Sequence, residues 1–256
     1  MTIPTLPPTP YPLPPTTYHL PPDFNVIKLQ NLFADYPDKT WAIKGIDLTV
    51  GEGESVAVIG ENGAGKTSLL HCIVGILEPS RGIIEVDGIQ LGAKTANEIR
   101  KRVGLVFQNP DDQLFMPYIY DDVAFGCRNF GMEEGEAKAR VEEVLCQLSI
   151  GHLRDRSSLK LSGGEKRMAA IATVLAIGPS VLMFDEPTAF LDPKGKRHLA
   201  ETLKALSHTM LLATHDMEFA LETCGRVVIL KDGRIAADGP PSLLRDNALL
   251  ERCGLR

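Results

Sequence analysis

The amino-acid sequence predicts an α/β domain into which a helical lobe is inserted. Two observations carry the reading. From Val26 onward short β-rich apolar runs alternate with helix-patterned stretches, and a glycine-rich turn at residues 60–65 joins one such run directly to an apolar helix. Ala137, Val141, Val144, Leu145 and Leu148 then recur at helical spacing, with Glu136, Lys138, Arg140, Glu142 and Glu143 on the other face. That pattern places an amphipathic helix in a lobe at residues 111–160.

In chain order, residues 1–24 hold nine of the 18 prolines, from Pro4 to Pro22. Proline fixes φ and has no backbone donor, so a disordered, polyproline-II-like tail is expected there, with the domain proper at 25–256. Its P-x-x-P spacings, Pro4/Pro7 and Pro12/Pro15, suit either a groove-docking segment or a merely solvated one. Val26–Leu32 and Ile43–Val50 read as the first two strands. Ser55–Ile59 is a short apolar strand ending in glycine, and Lys66–Leu77, apolar on nearly every face, is expected as a buried helix. Further strands fit Gly82–Val86, Val103–Phe107, Val181–Phe184, Met210–Ala213, Arg226–Lys231 and Arg234–Ala237, and Met168–Ile177 reads as another apolar helix.

Composition removes several classes of function. With 256 residues, 44% of them apolar, the chain can bury one large core, and 27 basic against 33 acidic residues leave no surplus that draws the whole molecule to nucleic acid. No apolar run approaches the roughly 18 residues of a bilayer span. No Lys or Arg precedes Lys28 and no apolar h-region is present, so neither a secretory nor a transit leader is expected, and the cytoplasm is the default location. Five scattered cysteines without a C-x-x-C pair argue against a disulfide framework or a zinc site.

Three motifs carry chemistry. Gly60-Glu61-Asn62-Gly63-Ala64-Gly65-Lys66-Thr67 matches the phosphate-binding P-loop between a strand and a helix. Its amides and helix N-terminus suit phosphate oxygens, Lys66 can bridge β- and γ-phosphates, and the Thr67 hydroxyl suits Mg²⁺. Val181-Leu182-Met183-Phe184-Asp185-Glu186 is an apolar strand delivering two carboxylates at its carboxyl end, the Walker B pattern. Asp185 can hold Mg²⁺, and Glu186 can orient or deprotonate an attacking water; adjacent acids after a strand are otherwise ordinary loop residues. Leu161-Ser162-Gly163-Gly164-Glu165-Lys166-Arg167 opens the helix at Met168–Ile177. Its plainer reading is a capping box; its sharper one is a second anion-binding helix N-terminus formed by Ser162, Gly163 and Gly164.

Together these stretches resemble the nucleotide-binding subunit of ATP-binding-cassette (ABC) transporters over nearly everything after residue 25. Gln108 after a strand resembles the family's Q-loop, Ala189-Phe190-Leu191-Asp192 its D-loop, and His215 its switch histidine. The resemblance implies a P-loop NTPase fold: a mixed-sheet core, an N-terminal antiparallel β region and the inserted helical lobe. It implies that Tyr36 stacks on adenine, that ATP is held along Gly60–Ser68, that Gln108 senses Mg²⁺ and the attacking water, and that His215 contacts the γ-phosphate. It further implies a second ATPase subunit, a copy or a paralogue, closing head to tail so that Ser162–Gly164 and Asp192 complete the neighbour's site. Hydrolysis would reopen the pair. Glu165, where the family more often has glutamine, and the bulky Phe190 depart from its pattern.

A narrower resemblance comes from Phe107-Gln108-Asn109-Pro110-Asp111-Asp112-Gln113-Leu114-Phe115 and Asp121-Asp122-Val123-Ala124-Phe125-Gly126. This is similar to the ATPase of energy-coupling-factor (ECF) importers, particularly the cobalt/nickel branch, with vitamin (biotin or other) importers as the alternative and a soluble, non-transport ABC ATPase as the rival class. It implies a peripheral subunit on the cytoplasmic face of the membrane, partnered by a transmembrane coupling subunit and a substrate-binding membrane subunit. The six histidines lack H-x-H or H-x-x-x-H spacing, so none is expected to ligate the transported ion. Leu114, Phe115, Met116, Pro117, Tyr118 and Tyr120, crowded just after Gln108, are either lobe core or the docking surface for the membrane partner.

Overall fold

The computed structural model of the chain describes residues 25–256; the Pro-rich tail expected at 1–24 lies outside the described residues. Strands β1 (Asn25–Asp35), β2 (Trp41–Gly51), β4 (Arg81–Val86) and β5 (Ile89–Gln90) form an antiparallel sheet in the order β2-β1-β4-β5. A second sheet runs β10-β9-β3-β8-β7-β6, where β3 is Ser55–Ile59, β6 Val103–Val106, β7 Val181–Asp185, β8 Thr209–Thr214, β9 Arg226–Lys231 and β10 Arg234–Gly239. Its strands are parallel except for the terminal β9–β10 hairpin.

Side chains of a strand alternate between faces, and the central sheet uses both. Val56 and Val58 of β3 and Val181 and Met183 of β7 face a core shared with β1, β2, β4 and helix α1 (Lys66–Ile73). Ala57 and Ile59, with Leu182 and Phe184, face a second core. That second core holds α3 (Ile119–Asn129), α4 (Glu134–Gln147), α5 (Gly163–Leu175), α6 (Pro193–Ala205) and α7 (Met217–Thr223). The amphipathic stripe predicted from Ala137 to Leu148 is buried in α4, and α3 and α4 pack on α5 as the lobe. Short helices α2 (Ala96–Arg102) and α8 (Asn247–Arg252) complete the chain.

Two boundaries correct the sequence reading. The helix expected to reach Leu77 stops at Ile73, because Gly75 takes φ 66° and turns the chain, leaving Ile76 exposed. The strand expected to include Phe107 ends at Val106, and Phe107 begins the loop that carries Gln108.

Candidate active site

The carboxyl ends of β3, β7 and β8 converge on one point, where open α/β sheets present ligand-binding groups. The first contributor is the loop Gly60–Gly65. Only glycine fits at Gly65, which has φ 104° and where an added Cβ would lie 2.6 Å from the Ala42 carbonyl of β2. Gly233, in the β9–β10 turn, abuts the same carbonyl, so the antiparallel sheet is seated against the loop. Lys66 is buried, and its ammonium donates to the Gly60 and Glu61 carbonyls at 2.8 and 3.2 Å.

The second contributor is the end of β7. Thr67 donates its hydroxyl to both carboxylate oxygens of Asp185, at 3.0 and 2.8 Å. Burial raises the Asp185 pKa above the usual carboxylate value, against the hydrogen bond from Thr67 that lowers it. A hydroxyl and a carboxylate held together at a phosphate loop are hard oxygen donors, the set that suits Mg²⁺ rather than a soft metal. Among the described residues no group of three or more His, Cys, Asp or Glu side chains gathers as a metal cluster.

Glu186 follows at φ 43°, a backbone region that side chains other than glycine rarely occupy, fixed by donation of its amide to the Ala213 carbonyl at 2.8 Å. Its carboxylate is buried and contacted from three sides: by Lys66 Nζ at 3.3 Å, by the Thr214 hydroxyl at 3.1 Å, and by the His215 backbone N–H and Nδ1 at 3.2 and 2.9 Å. Lys66, the adjacent pair Asp185 and Glu186, and His215, from three separate stretches of the sequence, thus meet at one site. Thr214 was not singled out from the sequence; a β-branched polar residue closing an apolar strand beside His215 is the signal that marks it.

The remaining candidates lie around this point. Tyr36 is exposed at the end of β1, its hydroxyl 2.7 Å from the Ser68 hydroxyl on α1. Asn62 and Gly63 are exposed on the loop, and Ala64 is buried in it. Gln108 is exposed just beyond β6. Asp192 is the N-cap of α6, accepting from the Gly195 amide at 2.7 Å. Ser162 caps α5 in a full capping box: it donates to Glu165 Oε2 at 2.7 Å and accepts from the Glu165 amide. The Ser162 backbone N–H, which donates to the same Oε2 at 2.8 Å, and then the hydroxyl hold the Glu165 carboxyl below its usual pKa. No hydrogen bond among the described residues joins Ser162, Gly163 or Gly164 to the P-loop.

The profile of the family described as ABC transporter matches residues 43–189. An energy-coupling factor transporter ATP-binding protein, EcfA of Carboxydothermus hydrogenoformans, is 42% identical over 90% of this chain and 86% of its own. The chain belongs to the ABC transporter family. It is an ABC ATPase, an ATP-hydrolysing cassette of the P-loop NTPase fold. The cbiO1 structure from Clostridium perfringens, described as part of the ABC transporter complex cbiONQ, superposes with a TM-score of 0.79 at 38% identity, covering 91% of this chain and 95% of that one. A dimeric structure of the ATP-binding cassette MJ0796 with ADP and Pi superposes at 0.75 with 28% identity, over 84% and 98% of the two chains.

Within this ABC ATPase the crowded segment after Gln108 divides. Leu114 is buried and Tyr120 packs on the lobe core, whereas Phe115 and Tyr118 are exposed, and Phe115 meets Phe125 edge to face at 5.0 Å. Phe115, Phe125, Gln113, Leu105, Arg100 and Ile177 line a groove between the lobe and the α2–β6 segment. Asp122 lies at its wall, accepting the Phe115 and Met116 amides on one carboxylate oxygen while the other has no partner. No helix among the described residues is long and apolar enough to cross a membrane.

Proposed function

We propose that this ABC ATPase powers an ECF-type importer for cobalt or nickel ions from the cytoplasmic face of the membrane. The likeness to EcfA supports the ECF type and leaves the cargo open; what supports the metal reading is the resemblance of Phe107–Phe115 and Asp121–Gly126 to the cobalt/nickel branch. In the proposed reaction Glu186 accepts a proton from water as its oxygen attacks the γ-phosphorus. The bond to the β-phosphate oxygen breaks, and ADP and phosphate leave. Lys66 and the Gly60–Ser68 amides and hydroxyls hold the phosphates, Tyr36 the adenine, and His215 reaches the γ-phosphate. Mg²⁺, held by Thr67 and Asp185 with Gln108, would neutralise developing phosphate charge.

Two ATPase subunits, copies or paralogues, are proposed to close head to tail, with Ser162–Gly164 and Asp192 completing the neighbour's site. The dimeric MJ0796 structure supports this arrangement. The coupling subunit is proposed to seat in the groove at Phe115 and over the exposed Tyr118 nearby in the chain; their aromatic exposure and loop connection to Gln108 support the placement. Membrane extraction with the chain as bait tests the whole. Co-purification of a coupling subunit and a binding subunit, with ⁵⁷Co or ⁶³Ni uptake dependent on Lys66, is expected. A vitamin on the binding subunit would overturn the metal assignment, and absence of membrane partners would overturn the importer. Phe115→Asp is expected to abolish co-purification while the chain still binds ATP. Cysteines placed at Asn62 and Ser162 are expected to join two chains only with ATP.

A further inference from the structure

Arg167 is among the largest fully buried side chains, 1% exposed, yet no carboxylate pairs with it among the described residues. Its two terminal nitrogens donate to the carbonyls of Phe107 and Gln108, at 2.7 and 2.6 Å, and its Nε has no partner. Those carbonyls belong to the two peptide planes on either side of the Gln108 Cα. Pinning both planes fixes the backbone dihedrals of Gln108 and therefore the direction of its side chain.

We propose that Arg167 is the positioning residue for Gln108, locking the loop that carries it to helix α5 so that the two travel as one body. The inference rests on the proposed role of Gln108 toward Mg²⁺ and the attacking water. The same junction is tied at three further points. Lys166 pairs with Asp111 at 2.6 Å, the Gln113 amide donates to the Ala170 carbonyl and the Thr173 hydroxyl at 2.8 Å each, and the Phe107 amide donates to Gln113 Oε1 at 3.1 Å. Any tilt of α5, whose first turn carries Ser162, is thus delivered to Gln108. Stability alone gives little reason for the arrangement. A buried cation costs solvation, which pulls the Arg167 pKa down to about 10 against the opposing field of Asp185, and apolar replacements of buried charges are often neutral. A planar fork is what two carbonyls in fixed orientation require, and a lysine ammonium does not reproduce it.

The test is a double-mutant cycle in the full chain: wild type, Arg167→Met, Gln108→Ala and the double variant, each assayed for kcat and KM with MgATP and for ATP binding without Mg²⁺. Misplacement of a reacting group by about 1 Å costs up to roughly 10²-fold in rate, so Arg167→Met is expected to lower kcat at least about tenfold. Mg²⁺-free ATP binding is expected to stay within about twofold, and the loss should vanish in the Gln108→Ala background. Arg167→Lys should fall between wild type and Arg167→Met. The proposal is overturned if the two losses multiply, if Mg²⁺-free binding falls in step with kcat, or if Arg167→Met and Arg167→Lys both unfold. Full kcat in Gln108→Ala alone would overturn the reading beneath it as well.

Discussion

Replacing Glu186 with glutamine separates the proposed base from the geometry that holds it. The amide oxygen can still accept from Thr214 and His215, which contact Glu186 Oε2 at 3.1 and 2.9 Å, so the side chain keeps its place and loses its proton affinity. Loss of a positioned general base costs about 10²- to 10⁴-fold, which at about 1.4 kcal/mol per decade is roughly 3–5 kcal/mol of transition-state stabilisation. ATP binding should move the other way. Lys66 Nζ lies 3.3 Å from Glu186 Oε1 with both side chains buried, and at an effective dielectric of about 20 that attraction is about 5 kcal/mol. Phosphate must displace it. The Gly60 and Glu61 carbonyls and the glutamine dipole retain most of the hold on Lys66, so a net gain of about 1 kcal/mol, roughly fivefold tighter ATP, is the expectation. Phosphate-release kinetics and equilibrium binding of a fluorescent ATP analogue measure the two effects on one protein preparation. Hydrolysis within tenfold of wild type would refute Glu186 as the base, and weakened ATP binding would refute the competition for Lys66.

Three further outcomes follow from the packing. Gly65→Ala places a Cβ 2.6 Å from the Ala42 carbonyl at a φ of 104°, and about 3 kcal/mol of destabilisation, some 6–12 °C in Tm by calorimetry, is expected. Burial pushes Cys72 up to about 12 and Cys224 to about 11, while Cys146 is exposed, so a native thiol titration should count one fast cysteine and a denatured one five. Burial also raises Asp122 above its ordinary 3.8, so the fold holds this proton to higher pH than the unfolded chain, and stability falls as pH rises through that window. Asp122→Asn keeps an acceptor for the Phe115 and Met116 amides without titrating. Its urea midpoint relative to wild type should therefore rise from pH about 4 to 7, and a constant difference would show that Asp122 is ionised throughout.

Strands were legible where alternation feeds two cores. Ser55–Ile59 and Arg226–Lys231 fall where the sequence places them, because unbroken apolar runs, Val56–Ile59 and Val227–Leu230, feed the two faces of the sheet in alternation. Thr209 and Thr214, buried but polar, hide the ends of β8. Helix α2 buries only Ile99 and so has no stripe to read, whereas α6 announces itself with Asp192 at the N-cap and Pro193 after it. In the site, the P-loop and the Asp185–Glu186 pair are contiguous and were readable as motifs. Thr214, which donates to Glu186, was not, and neither was Arg167, which reaches the Phe107 and Gln108 carbonyls of the neighbouring loop through space. An arginine that follows Glu165 and Lys166, just before the apolar run from Met168 to Ala176, is the kind of residue that sequence pattern alone assigns to a solvent face; here the chain wraps it instead.

The seat of the Ala42 carbonyl against Gly65 and Gly233 makes the nucleotide site a caliper. Tyr36 stands beside the antiparallel sheet and Lys66 in the loop, and the glycine contacts, with the Tyr36–Ser68 hydroxyl pair, join the two jaws. With Tyr36 as the proposed adenine platform, a nucleotide would be gauged by its span from base to phosphate: adenosine would meet one jaw, a bare triphosphate the other, and only a chain carrying both would bridge them.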